Sequence, residues 1–160
     1  MDYKDDFPKL VISLGVCYLA AFAGSFFTTP KIPTWYAALA RPGFAPPDWV
    51  FGPVWIFLYT LMGISAFLIW RDQGNVAEKK VALAIFLAQL VVNAFWSFAF
   101  FGLMSPLAGF VVILVLLSLI VATILKFDRI SRVAGLLLIP YLLWVSFAAI
   151  LNFSIWRLNP

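Results

Sequence analysis

An all-α bundle of five membrane-spanning helices, with a long Pro/Trp-rich loop between the first and second, is the fold this sequence predicts. Three observations predict it. The 160 residues are 64% hydrophobic and only 11% charged, with a mean hydropathy of +1.02, whereas a soluble domain carries roughly 25% charged residues. Five apolar runs, each near the length that crosses a hydrocarbon core of about 30 Å, contain no Asp, Glu, Lys or Arg. Between the first two runs, Pro33 to Trp55 gathers Pro33, Pro42, Pro46, Pro47 and Pro53 with Trp35, Tyr36, Trp49 and Trp55. Regular helix and strand do not tolerate that proline density, because each ring removes a backbone donor and restricts the residue before it. Its aromatic content argues against disorder, so the segment reads as an ordered, proline-stiffened lid over the mouth of the bundle.

The same composition excludes several function classes. The net charge is +4 and the pI about 9.4, but the basic residues are scattered between apolar runs. Membrane topology explains them, and no nucleic-acid face is expected. Cys17 is the only cysteine and histidine is absent. That leaves no disulfide, no cysteine metal cluster and no imidazole for proton transfer or metal ligation. No metal site and no catalytic residue is assigned, and no cofactor is required.

Taken in order, Met1 to Lys9 is polar and begins like a common acidic epitope tag; no function is assigned to it. Leu10 to Phe27 is the first span, ended by Thr28, Thr29 and Pro30, and its Ala20/Gly24 pair permits close helix contact, either within the monomer or at an oligomer seam. Pro53 to Trp70 is the second span, stopped by Arg71 to Asn75; Val81 to Phe101 is the third; Pro106 to Leu125 is the fourth, with Pro106 suited to a first helical turn. Val133 to Trp156 is the fifth, with Pro140 expected to kink it or free a carbonyl. The whole chain, 1–160, reads as one domain.

Basic residues set the orientation. Lys4, Lys9, Arg71, Lys79, Lys80, Lys126, Arg129 and Arg132 fall on one side, against Lys31, Arg41 and Arg157 on the other. In a prokaryotic cell membrane this places the N-terminus in the cytoplasm and the lid outside.

Polar residues inside the spans mark candidate chemistry. Gln89, Asn93 and Ser97 recur every four residues and share one stripe of the third helix. Buried amides in lipid need partners, so Asn93 serves either the bundle or a ligand. Ala84 precedes Asn93 by nine residues, which at 100° per residue puts it on the opposite face. With Ala88 it forms a second small-residue pair, facing outward. In the fifth span Pro140, Trp144, Ala148 and Asn152 share a stripe. Trp55, Trp96 and Trp144 are inner candidates, whereas Trp49, Trp70 and Trp156 sit near span ends, where interface anchoring explains them. A Trp-lined pocket with one or two amides suits a flat, mostly apolar ligand and suits an ion poorly.

The blocks TWYAALARPGFAPP, Trp55-x-x-x-Tyr59, QLVVNAFWS (Gln89 to Ser97), PYLLW (Pro140 to Trp144) and FAAILNFSIWRLN (Phe147 to Asn159) together resemble the TspO/MBR family, the translocator proteins or peripheral benzodiazepine receptors. The resemblance runs from Phe7 to Pro160 and implies a five-helix bundle, usually a homodimer, with a cavity roofed by the first long loop. It implies binding of porphyrins and related haem-type tetrapyrroles. By motif the family's cavity residues fall on Tyr36, Trp55, Asn93, Trp144 and Ala148, with Trp35 in the lid, and its dimer motif falls on Ala84 and Ala88. The family's cholesterol motif is incomplete here, with Leu151, Phe153 and Arg157 placing Phe where a Tyr is wanted, so sterol binding is not expected.

The function expected is a membrane receptor or sensor for a porphyrin. Two alternatives belong to other classes. In a light-dependent porphyrin-degrading enzyme the pigment would do the chemistry and the protein would position it. A passive transporter of tetrapyrroles is the other, although no inverted repeat or intramembrane carboxylate marks one.

Overall fold

The structure, a computed structural model, describes residues 3–159. It is all-helical among the described residues, and five stretches are long and apolar enough to cross a membrane. The main helices are α1 (Tyr3–Thr28), α2 (Phe51–Arg71), α3 (Val76–Ser97), α4 (Pro106–Ile130), α5 (Arg132–Leu137) and α6 (Ile139–Leu158). Of the N-terminal tail, Met1 and Asp2 lie outside the described residues, and from Tyr3 the backbone is already helical.

Helix ends follow local chemistry. The Asn75 side chain accepts from the amides of Ala77 and Glu78 to start α3, and Ser105 caps α4 ahead of Pro106. Both satisfy donors that a helix start leaves unpaired. The fifth span is broken as Pro140 requires. Lacking an N–H, Pro140 sits in the first turn of α6, and the Leu138 amide turns to Gly135 O at 3.1 Å. Ala134 O, freed by that shift, accepts from Ser65 Oγ of α2 at 2.7 Å. A neighbouring hydroxyl thus satisfies a carbonyl that lipid would leave unpaired.

The packing order around the bundle is α1, α2, α5 with α6, α4, α3 and back to α1. Asp6 of α1 reaches Arg71 at the end of α2 at 3.5 Å, as antiparallel neighbours require. A Cβ at Gly24 would meet Ser97 Oγ at 3.0 Å, so the Ala20/Gly24 pair does pack inside the monomer. At the end away from the lid, Met62, Ile69, Phe86 and Phe127 close a dense core. Leu19, Val91 and Leu143 point outward and exposed, the surface of a multi-pass membrane protein whose solvent is hydrocarbon. Near the lid α2 and α6 barely touch, and the cavity lies there.

An aromatic cavity beneath the lid

The lid is ordered, and it is more helical than its proline content predicts. A wide turn, Ile32–Tyr36, carries Pro33 at its start, where a missing N–H costs nothing. A single 3-10 turn, Asp48–Val50, leads into α2. Tyr36 is driven inward, 3% exposed, and its ring packs on Phe51, Phe100 and Phe101 with centroids 6.4, 6.3 and 5.8 Å away. The two phenylalanines come from the wide turn Phe98–Gly102 that ends the third span. Trp35 buttresses the same pair, 5.4 Å from Phe100 and 6.2 Å from Phe101. Trp35 therefore supports the roof and does not line the space below it.

One contact ties the lid to the end of α6, and a second braces the lid internally. Asn159, just past α6, reads the Ala40 peptide in both directions: the Ala40 N–H donates to its Oδ1 at 3.0 Å, and its Nδ2 donates to Ala40 O at 2.9 Å. Next along the chain, Arg41 lies 5.1 Å above the Tyr36 ring and donates to Asp48 Oδ1 at 2.7 Å. Arg41 is thus an exposed loop charge with one guanidinium nitrogen taken by Asp48. Burial raises the pKa of the Tyr36 phenol, with the Arg41 guanidinium opposing, so Tyr36 is neutral at physiological pH. Its hydroxyl is buried and has no hydrogen-bond partner among the described residues.

Below the roof is a cavity of about 480 Å³. Trp55 of α2, Trp96 of α3 and Trp144 of α6 line it, with Tyr36 and Phe51 above. Ala148 and Asn93 complete the wall. On the α1 side most lining residues are small or hydroxylated (Ala21, Gly24, Ser25, Thr28), with Phe22 adding a ring beside them. Trp144 packs on Phe51 and Phe147 at 6.0 and 5.7 Å, and Trp55 on Tyr59 and Tyr141 at 5.4 and 6.3 Å. Trp49, by contrast, is 75% exposed.

The polar stripe of α3 lies buried along this wall. Tyr59 OH donates to Asn93 Oδ1 at 2.8 Å, Asn93 Nδ2 donates to Tyr141 OH at 2.7 Å, and Tyr141 OH donates to Gln89 Oε1 at 2.9 Å. Asn93 therefore fixes the tyrosines of α2 and α6 on which Trp55 leans, and it does so while lining the cavity. Asn152 plays the same part on the other side, accepting from Trp96 Nε1 at 3.2 Å and donating to Pro106 O at 2.7 Å. Ala84 and Ala88 are exposed on the opposite face of α3, as their register requires. Phe153 packs with Phe110 and Trp156 and brings no hydroxyl to the end of α6.

Sequence reasoning brought Tyr36, Trp55, Asn93, Trp144 and Ala148 into one cavity. It missed Phe51, Phe100 and Phe101, which look like ordinary span-end phenylalanines. It also missed Asp48 and Asn159, whose partners depend on how the loop folds.

Comparison with known proteins gives a consistent family. Residues 13–157 match the model of the TspO/MBR family. The chain is 47% identical to the tryptophan-rich protein TspO of Chlorobaculum tepidum over 94% of this chain and 96% of that one. It is 38% identical to the human translocator protein over 88% and 84%. It is 34% identical to the tryptophan-rich sensory protein of Cereibacter sphaeroides over 96% and 93%.

Proposed function

The chain belongs to the TspO/MBR family, and from that premise we propose that it is a membrane receptor or sensor binding a porphyrin or related tetrapyrrole in the cavity beneath the lid. The observation that carries this reading is the cavity lining itself. Three indoles face a space of about 480 Å³, a size suited to a single organic ligand, and the wall bears no ionised group. Aromatic faces bind a flat conjugated ring by stacking and area burial. A sensory role is supported by the name of the Cereibacter sphaeroides relative.

A porphyrin also carries carboxylates, and one Arg41 nitrogen is already taken by Asp48. Lys31 sits between the cavity-lining Thr29 and Ile32 and makes no ion pair among the described residues. Its Nζ reaches only Met104 Sδ at 3.6 Å, so beside Arg41 it is a second cation available to a propionate at the mouth.

The test is quenching of tryptophan fluorescence during titration with protoporphyrin IX, with Trp144→Phe alongside. Saturable quenching that the substitution weakens is expected. Linear quenching that ignores Trp144 would mean partitioning into detergent and would end this reading. Illuminating the saturated complex then separates a receptor, in which the pigment persists, from an enzyme that degrades it faster than detergent alone does.

The proposal extends to assembly and orientation. The exposed Ala84/Ala88 stripe suits close packing against a second copy, and the distribution of basic residues supports an N-terminus in the cytoplasm. Ala88→Cys should crosslink to a dimer in membranes under mild oxidation, while Cys at exposed Leu143 should not. Equal crosslinking at both positions would reject the α3 seam.

A further inference from the structure

A second cavity, about 240 Å³, lies at the opposite end of the bundle from the lid, between the first turns of α3 and the last turns of α4. Ala77, Val81 and Ile130 supply its apolar lining, and Lys126, Arg129 and Glu78 its charges. Lys126 and Arg129 are three residues apart on α4 and so share one face. Neither makes an ion pair among the described residues, and Glu78 makes none either. The α3 start next to it is already capped by Asn75 at the amides of Ala77 and Glu78. An anion entering here would therefore meet the two side-chain cations rather than open backbone amides.

Placing basic residues at a membrane edge satisfies topology by itself. Two features go beyond that requirement: the cations flank a cavity, and that cavity runs into lipid-facing apolar surface at Val81, 50% exposed. We infer that this groove binds the phosphate headgroup of an anionic phospholipid, with Lys126 and Arg129 on the phosphate and an acyl chain descending past Val81 and Ile130. Charge complementarity and depth both favour this occupant, since the groove sits where α3 and α4 leave the hydrocarbon and headgroups begin. Glu78 sets a limit on the affinity, because it faces the same space with the wrong sign.

Thermal unfolding and native mass spectrometry in a neutral detergent, with phosphatidylglycerol, phosphatidylcholine or inorganic phosphate added, test the assignment. Phosphatidylglycerol is expected to raise the midpoint saturably and to stay bound in the gas phase, with phosphatidylcholine and inorganic phosphate giving neither. K126Q/R129Q should weaken phosphatidylglycerol binding roughly 25-fold, because each basic side chain near an anionic headgroup contributes about fivefold. K126R/R129K should restore it, and Glu78→Gln should tighten it. Arg132→Gln, which removes a cation at the same membrane edge but outside the groove, should leave it unchanged. Should K126Q/R129Q not fold, the single substitutions serve, each expected to cost about fivefold. Equal effects of the two lipids, or a K126Q/R129Q protein that binds phosphatidylglycerol like the parent, would overturn the site. A matching shift with inorganic phosphate would overturn the lipid as its source.

Discussion

Trp55→Ala is expected to weaken tetrapyrrole binding by at least about 30-fold, which corresponds to losing about 2 kcal/mol, the lower end for a buried aromatic anchor. Trp55 occupies the α2 wall of the cavity, and its ring is held at a defined tilt, 5.4 Å from Tyr59. Tyr59 is itself fixed by its 2.8 Å hydrogen bond to Asn93. The indole thus meets a ligand already oriented, and little ordering cost offsets the stacking it provides. Removing it deletes a stacking face and widens the space, so both the contact and the fit are lost. Trp55→Phe keeps a smaller ring and should cost less than Trp55→Ala. Trp49→Ala is the control, because Trp49 is 75% exposed and lies outside the cavity. Isothermal titration or fluorescence quenching with protoporphyrin IX reads the result. If Trp55→Ala and Trp49→Ala lower the affinity equally, the ligand does not sit between the indoles.

The two halves of this molecule differ in how far the sequence reveals them. Spans are legible because lipid enforces a long uncharged run for every crossing, and all five helices fall where those runs are. Register carries further. Four-residue spacing put Gln89, Asn93 and Ser97 on one stripe, and all three are buried; the half-turn offset put Ala84 on the exposed side. The effect of Pro140 was predictable as a break, but its repair by Ser65 was not, since that bond joins residues 69 positions apart. The lid is the least legible part. Proline density correctly indicates an irregular chain between short turns, yet it says nothing about which lid residues meet which helix. Trp35 and Tyr36 are neighbours in one motif, and only the path of the turn Ile32–Tyr36 decides that Tyr36 faces the cavity while Trp35 lies behind it. Asn159 is joined to Ala40 across 119 positions, a contact no local pattern encodes. Arg41 and Asp48 are only seven apart, and opposite charges flanking the loop's proline pair were the one available hint of their ion pair.

Gly109→Val is expected to disrupt the fold more than any cavity substitution. A Cβ at Gly109 would stand 2.7 Å from Phe100 Cδ2 and 2.9 Å from both Phe100 Cβ and Asn152 Oδ1. None of these atoms has room to retreat. Phe100 is 2% exposed, stacks on Trp96 at 5.5 Å, and carries Tyr36 and Trp35 on its other edges. Asn152 is held by Trp96 Nε1 and Pro106 O. Relief must therefore come from separating α4 from α6 or from driving Phe100 upward into the roof. Overpacking a tight site costs about 1–3 kcal/mol, so Gly109→Ala should lower the thermal midpoint by several degrees. Gly109→Val, with two further methyl groups on a stiff side chain, should fail to give a monodisperse protein in detergent. Gly15→Ala is the matched control. Nothing lies within 4 Å of a Cβ there, and alanine is the better helix former by about 1 kcal/mol, so its midpoint should be unchanged or slightly raised. The milder Gly109→Ala also tests how roof and wall are coupled: if Phe100 moves, protoporphyrin affinity falls along with stability, although Gly109 itself does not line the cavity. A Gly109→Val protein that melts within a degree of the parent would show that α4 and α6 do not approach this closely around Asn152.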